Sequence, residues 1–488
     1  MHELNLTMMT DFYQLTMMQG YFMSDMYKKT AVFDLFFRKN PEESAYAIAC
    51  GLDVLNRYIE SIHFSDDDIS FLESMGCFRQ NFLGYLRDFR FSGDIHAVPE
   101  GTVVFPHEPI LRVTAPIIEA QLLETALLNI VNHQTLIATK AARICYAAEG
   151  DQVLEFGLRR AQGPDAGIYG ARAAIIGGCA ATSNVLAGKM FDVPVRGTHA
   201  HSWIMSFDNE LTAFREYARL YQSPCILLVD TYNTLKSGVP NAIKVFGEMR
   251  EAGRLTGSYG IRLDSGDLAY LSKTARMMLD EAGYPDAIIS ASSDLDEWLI
   301  KDLKHQGAKI TLWGVGTNLI TSKDCPSLGG VYKISALEGD GAEMRPRIKL
   351  SENPEKVTNP GKKTVFRIYD NKNGKMKADV IALGGEIIDE TQNLTLFHPI
   401  DTWKKMELCA GTYSVRELLV PVFESGRCVY NSPSVMEIRS YCKQELETLW
   451  EEHKRLLRPH IMPVDLSENL YELKTRLISR LRGAQTNV

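Results

Sequence analysis

Gly197-Thr198-His199-Ala200-His201-Ser202 places two imidazoles two residues apart beside two hydroxyls. An imidazole can serve as proton shuttle, metal ligand or phosphoryl acceptor. The apolar Val193-Pro194-Val195 just upstream predicts a short buried strand that delivers the pair to a strand end. Histidines that only pack are the plain alternative, so the other polar clusters decide. Arg262-Leu263-Asp264-Ser265-Gly266-Asp267 sets a guanidinium beside two carboxylates, a group suited to ribose hydroxyls or to Mg2+ on a diphosphate. Arg159 and Arg160 add planar donors for an anion, with surface ion pairing as their alternative. Gly314-Val315-Gly316-Thr317-Asn318 reads as a phosphate cradle, because glycines let backbone N–H groups approach the oxygens and Thr317 adds a hydroxyl. It has neither a Walker lysine nor the third glycine of a dinucleotide fingerprint, and a tight strand-to-helix turn would look the same.

These clusters need elements to position them. Strands are predicted at Val153–Phe156, Pro194-Val195, Cys225–Val229, Tyr259–Ile261, Ala287–Ile289 and Ile310–Trp313, alternating with helices near 211–220, 241–252, 267–282 and 294–306. Such alternation implies parallel strands joined by crossover helices, and an irregular β/α barrel is the economical closure. Each predicted strand runs into polar residues, Asp230-Thr231-Tyr232-Asn233 and Ser292-Ser293-Asp294 among them. In a β/α barrel these ends converge on one face, where such folds build their sites. For Asp294 alone, helix capping is the plainer reading.

The expected fold class is α/β, with an N-terminal α+β domain over 1–115, the barrel over 116–338 and a C-terminal mixed α/β domain over 339–488. The first region carries a helix near Thr10–Gln19, a strand over Ala31–Phe37 and short strands over 94–114 punctuated by Pro99, Gly101, Pro106 and Pro109. The last carries a hairpin with its turn at Asn371-Lys372-Asn373-Gly374, then helices over about 434–457 and 467–482 whose charges read as solvated faces. A chain of 488 residues with 45% hydrophobic residues supports two or three cores. The net charge of -8 argues against a nucleic-acid or polybasic membrane protein. Nine cysteines without a Cys-x-x-Cys pair, no signal-like start and no long apolar run predict a reduced, cytoplasmic setting.

Thr10-Asp11-Phe12-Tyr13, Glu155-Phe156-Gly157-Leu158-Arg159-Arg160, Gly197–Ser202, Arg262–Asp267 and Gly314–Thr317, in that order, resemble the motifs of nicotinate phosphoribosyltransferases, a type II phosphoribosyltransferase family, over essentially the whole chain. The resemblance implies transfer of phosphoribose from 5-phosphoribosyl 1-diphosphate to the ring nitrogen of nicotinate in NAD biosynthesis, with ATP hydrolysed as co-substrate and Mg2+ as cofactor. It implies that His201 is phosphorylated in each cycle, that Tyr13, Thr198 and Arg262 surround nicotinate, and that Phe156 stacks on its ring. An electron-poor pyridine suits a slot between an aromatic face and a guanidinium. Asp264 would hold ribose hydroxyls, Arg159 the diphosphate, Gly314, Gly316 and Thr317 the 5′-phosphate, and Thr358 a further part of the phosphoribosyl donor. His199 stands where relatives that use nicotinamide resemble one another in an aspartate, which favours a carboxylate substrate here. Mg2+ on the diphosphate would lie near Asp264 and Asp267, and Tyr13 would come from the partner subunit of a homodimer.

Two departures stand out. Ser202 follows the second histidine where part of the bacterial branch has Glu, and Cys409, Cys428 and Cys442 lack the clustering of a zinc site that some relatives carry, so no metal held by protein ligands alone is expected. Nicotinamide or quinolinate as acceptor is an alternative within the same chemistry. A metal-dependent barrel hydrolase using His199, His201 and Asp264 is another, short of ligands because His133 and His305 fall in helical context. A non-catalytic nucleotide sensor that kept the fold is a third.

Overall fold

The structure is a computed structural model and describes residues 5–485 except 42 and 402. It is a mixed α/β chain whose residues group into two compact units, one of Met1–Leu136, Ser327–Pro433 and Tyr441–Val488, the other of Ile137–Pro326 and Ser434–Ser440. Among the described residues no helix is long and apolar enough to cross a membrane.

The central unit holds the parallel sheet that the alternating pattern predicts. Its strands are β1 (Gln152–Glu155), β2 (Ala181–Thr182), β3 (Cys225–Leu228), β4 (Tyr259–Leu263), β5 (Ile288–Ala291) and β6 (Leu312–Val315). They lie in the order β2-β1-β6-β5-β4-β3, every pairing parallel. Helices cover the faces, so strands such as β3 are buried throughout and read as unbroken apolar runs. Helix Leu268–Glu281 shows the complementary period, burying Leu268, Ser272, Ala275 and Leu279. Asp267 accepts the Tyr270 N–H at 2.9 Å to cap it. At the next helix the cap is Asp296, which accepts the Leu299 N–H, while Asp294 sits at φ +40° in the turn before it. The sheet departs from expectation at one edge. Pro194-Val195 forms only a single parallel bridge, Val195 with Thr182, and β2, two residues long, stands between it and β1. Two residues carry too little periodicity to be read as a strand.

The other unit draws on both ends of the chain, where the sequence suggests separate domains over 1–115 and 339–488. Its seven-stranded sheet pairs Thr30–Phe37 with Leu111–Pro116 on one side and with Gly330–Glu338 on the other, and Val420–Glu424 joins Asp94–Ala97. A six-stranded sheet contains the expected hairpin, Lys363–Asp370 against Met376–Leu383. Buried charges bind early to late segments. Lys363 Nζ lies 2.7 Å from Asp34 Oδ2, and Arg112 donates to the Lys363 carbonyl. Arg367, fully buried, donates to both oxygens of Asp379, to Glu445 and to the Val103 carbonyl. An unpaired charge at such depth costs several kcal/mol, so neither segment can settle without the other.

Candidate active site

The carboxyl ends of β1, β3, β4, β5 and β6 and the segment after Val195 supply the polar residues of the central unit. At its centre is Arg262, on β4. Its Nε donates to Ser292 Oγ at 2.8 Å, Nη1 to Thr198 Oγ1 at 2.9 Å, and Nη2 to Asp264 Oδ1 at 2.8 Å. Three strand ends are thereby tied to one planar cation, whose donor directions are fixed by the guanidinium. Ser292 Oγ also donates to Asp264 Oδ1. Burial works against the Asp264 carboxylate, but the Ser292 hydroxyl and the Arg262 guanidinium outweigh it and hold the carboxyl below its ordinary range. Asp230, just beyond β3, accepts the Asp264 N–H at 2.8 Å and the Ser265 hydroxyl at 2.7 Å through Oδ2, leaving its buried Oδ1 without a partner.

The two histidines have different surroundings. His201 opens a short helix and is partly exposed; its Nδ1 hydrogen-bonds Thr231 Oγ1 at 3.1 Å and its Nε2 lies 3.6 Å from Asp264 Oδ2. His199 is buried, edge-on to the Tyr217 ring at 4.6 Å, and its Nε2 accepts the Leu228 N–H at 3.2 Å. Burial foremost, with Arg262 and His201 adding to it against the Ala200 backbone, pushes its pKa down to about 4, so the ring is neutral. The two imidazoles thus hold separate partners, and no group of three or more His, Cys, Asp or Glu among the described residues is arranged to hold a metal ion.

Phe156 follows β1, with the Arg262 Cζ 5.9 Å from its ring centroid. A Cβ on Gly314 would stand 2.6 and 2.7 Å from two carbons of that ring, so Gly314 is the floor on which Phe156 lies. Gly316 also approaches Phe156 closely, through its backbone carbonyl, and Thr317 opens a four-residue helix. Glu155, the residue before Phe156, is fully buried and accepts the Thr182 hydroxyl at 2.5 Å and the Gly157 N–H; burial raises its pKa against these two donors. Arg159 and Arg160 lie exposed on a single turn after Gly157. Asp267 is exposed and spends one oxygen on its helix cap.

Tyr13 and Thr358 belong to the other unit. Tyr13 is 49% exposed on helix Phe12–Met23, beside exposed Phe12 and Met17. Thr358 lines a small pocket with Asp34, His107, Lys333 and Lys363, and its hydroxyl accepts the Lys349 N–H at 3.0 Å.

Comparison with known proteins settles the family. The N-terminal domain model of nicotinate phosphoribosyltransferase (NAPRTase) matches residues 8–132 and the C-terminal domain model residues 362–474. The chain is 48% identical over 479 residues to the nicotinate phosphoribosyltransferase of Bacillus subtilis, covering 98% of this chain and 96% of that one. The chain belongs to the nicotinate phosphoribosyltransferase family. It is an enzyme of that family. The Dictyostelium discoideum nicotinate phosphoribosyltransferase is 36% identical over 521 residues, covering 95% and 87% of the two chains. The crystal structure of human nicotinic acid phosphoribosyltransferase superimposes with a TM-score of 0.83 at 30% identity, over 96% of this chain and 99% of that one.

In this chain the strand-end pattern foreshadows more residues of the cluster than the histidine and arginine motifs name. Ser292, Asp230 and Thr231 stand in the polar runs that close their strands, and their part in the site lies in holding Arg262, Asp264 and His201. Glu155 and Thr182 are a different case. Their pairing depends on β2 lying beside β1, and nothing in the spacing of the two residues announces it.

Proposed function

We propose that this chain transfers phosphoribose from 5-phosphoribosyl 1-diphosphate to nicotinate, releasing nicotinate mononucleotide and diphosphate, and that ATP drives the cycle through a phosphate carried on His201. The observation that carries the reading is the cluster in which Arg262 binds Thr198, Ser292 and Asp264 while His201 stands against the same Asp264. Nicotinate would lie between the Phe156 ring and the Arg262 guanidinium, its carboxylate meeting Arg262 and Thr198. The ring nitrogen attacks C1 of the ribose as a neutral lone pair, and the bond to the diphosphate oxygen breaks. The sugar passes through an oxocarbenium-like state in which charge placement does most of the work, so no strong base is required. Arg159 and Arg160 are assigned to the diphosphate, and Gly314, Gly316 and Thr317 with Thr358 to the phosphoribosyl donor. Asp264 is assigned to ribose hydroxyls.

In the tautomer that gives Nδ1–H to Thr231 Oγ1, His201 would keep its lone pair on Nε2. That nitrogen would take the terminal phosphoryl group of ATP, an N–P bond forming as the P–O bond to ADP breaks. The phosphoryl group favours one substrate state over another only if it touches them differently, and Asp264 is the residue through which it would do so. Asp264 Oδ2, whose companion Oδ1 is taken by Arg262 and Ser292, and the unpartnered Oδ1 of Asp230 are hard donors of the kind Mg2+ takes. Asp267 is less suited, its carboxylate being the helix cap. Mg2+ held there would supply charge neutralisation for the departing diphosphate.

The parallel sheet is assigned to an irregular β/α barrel, with its two edges brought together beyond Val195 and β3. A homodimer fits the exposed Phe12, Tyr13 and Met17 on one helix, with Tyr13 serving the partner's site. The nine free cysteines suit the reducing cytoplasm.

The test is incubation with ATP labelled in its terminal phosphate. Acid-labile, base-stable label is expected on the wild type and none on His201→Ala; label that persists on the variant refutes the assignment. A parallel assay with nicotinate, nicotinamide and quinolinate decides the acceptor, nicotinate being expected to win.

A further inference from the structure

The parallel sheet of the central unit has two edges, and the His199 side chain reaches from one to the other. On one side the bridge of Val195 to Thr182 adds a residue of the 193–199 segment beyond β2, with Thr182 N–H donating to the Pro194 carbonyl and Arg196 N–H to the Thr182 carbonyl. On the other side stands β3, paired only with β4. Val229 N–H, next along the chain from Leu228, donates to the Arg262 carbonyl of β4. Alternate residues of a strand point their N–H groups to opposite sides, so the Leu228 N–H faces away from β4, towards the edge. No strand carbonyl meets it. The acceptor is His199 Nε2.

We propose that His199 is a positioning residue that joins the two edge strands, its imidazole nitrogen taking the place of a ladder carbonyl, and that it thereby fixes Thr198 and His201 rather than choosing the substrate. Three further features agree. His199 is buried, the Tyr217 ring stands edge-on against it, and burial keeps the imidazole neutral, the only form with a lone pair to offer Leu228. Its neighbour Thr198 accepts from Arg262, and Arg262 Nη1 reaches the His199 carbonyl at 3.5 Å, so a shift of this backbone displaces the central cation's partners. With Nε2 occupied, only Nδ1 is left for any ligand. The activity arm of the test rests on the transferase reading; the structural arm does not.

Amide hydrogen exchange at Leu228 in the full-length protein is the direct measurement. His199→Phe keeps an aromatic ring for Tyr217 and removes the acceptor; Leu228 should then exchange roughly tenfold faster or more, while the other strand amides keep their protection. His199→Gln, whose amide oxygen can stand near the Nε2 position, should retain most of the protection. Phosphoribosyl transfer should lose about 10- to 100-fold in kcat with the Phe variant, with KM for nicotinate and the preference over nicotinamide little changed. Unaltered Leu228 exchange in the Phe variant, or a switch to nicotinamide, would overturn the proposal. The wild type provides an independent check through histidine-selective 15N labelling. An unprotonated His199 Nε2 is expected near neutral pH, and a protonated one refutes the assignment whether or not a variant folds and whether or not the transferase reading holds.

Discussion

Gly314→Ala adds one methyl group beneath the Phe156 ring and should be costly for activity far beyond its size. The new Cβ would stand 2.6 and 2.7 Å from ring carbons that ordinarily approach no closer than about 3.5 Å. The overlap is close to 1 Å, and β6 cannot yield easily, because it is paired on both sides, with β1 and β5. The ring must therefore move by about that distance away from Gly314, in a slot where Arg262 Cζ stands 5.9 Å from the ring centroid. Overpacking of this kind costs roughly 1–3 kcal/mol when the structure cannot relax, and a misplacement of about 1 Å can cost about 100-fold in rate. We expect kcat/KM for nicotinate to fall 10- to 100-fold by steady-state assay, with a smaller loss of thermal stability because the ring has an open side. The control is a cycle with Phe156→Ala. If Gly314 acts through the ring, adding Gly314→Ala to Phe156→Ala should cost almost nothing more. Additive losses, or a single variant within twofold of wild type, would show that Phe156 does not form the slot.

Other perturbations have equally definite signs. Ser292→Ala removes a donor to Asp264 and an acceptor for Arg262; the acidic limb of the kcat/KM profile should move to higher pH with a loss of about tenfold at neutral pH, and an unmoved limb would refute the role given to Ser292. Glu108, fully buried, has its pKa raised well above 4.5 by burial and by the Asp379 carboxylate, against Arg367 and the Phe105 N–H. A raised acid contributes its full stability below its unfolded pKa and loses it as pH rises towards the folded one, so Glu108→Gln, which cannot ionise, should melt above the wild type at pH 8 and match it near pH 4. Melting curves that stay parallel from pH 4 to 8 would refute the assignment of a proton to Glu108. Thr182→Val leaves the fully buried Glu155 with one donor fewer; a loss of about 1–3 kcal/mol in denaturant unfolding is expected, and an unchanged midpoint would mean that the hydroxyl does not serve the carboxylate.

Much of the site is legible in the sequence because parallel strands buried on both faces must be apolar and must end abruptly. Cys225–Leu228 and Tyr259–Leu263 show it, each followed by charged and hydroxyl residues. The helices between them declare themselves by period. What stays hidden rests on pairings between distant residues. Thr182 lies on a two-residue strand, the Gly314 contact is with a ring more than a hundred residues away, and His199 looks from its spacing like a partner of His201 until its acceptor role towards Leu228 is seen. The grouping of the chain's two ends is hidden for the same reason: Asp34 and Lys363 have no local signal that pairs them.

That pairing sets an order of events during synthesis. The central unit is almost entirely one stretch, Ile137–Pro326, and can assemble as soon as that stretch has left the ribosome. Strand Thr30–Phe37, made first, must wait for Gly330–Glu338, and Asp34 waits still longer for its lysine. At roughly 5–20 residues per second this leaves an apolar strand edge and a lone carboxylate exposed for about 15–60 seconds. An early segment of the polypeptide thus stays incomplete until late in synthesis, and Asp94–Ala97 waits later still, for Val420–Glu424.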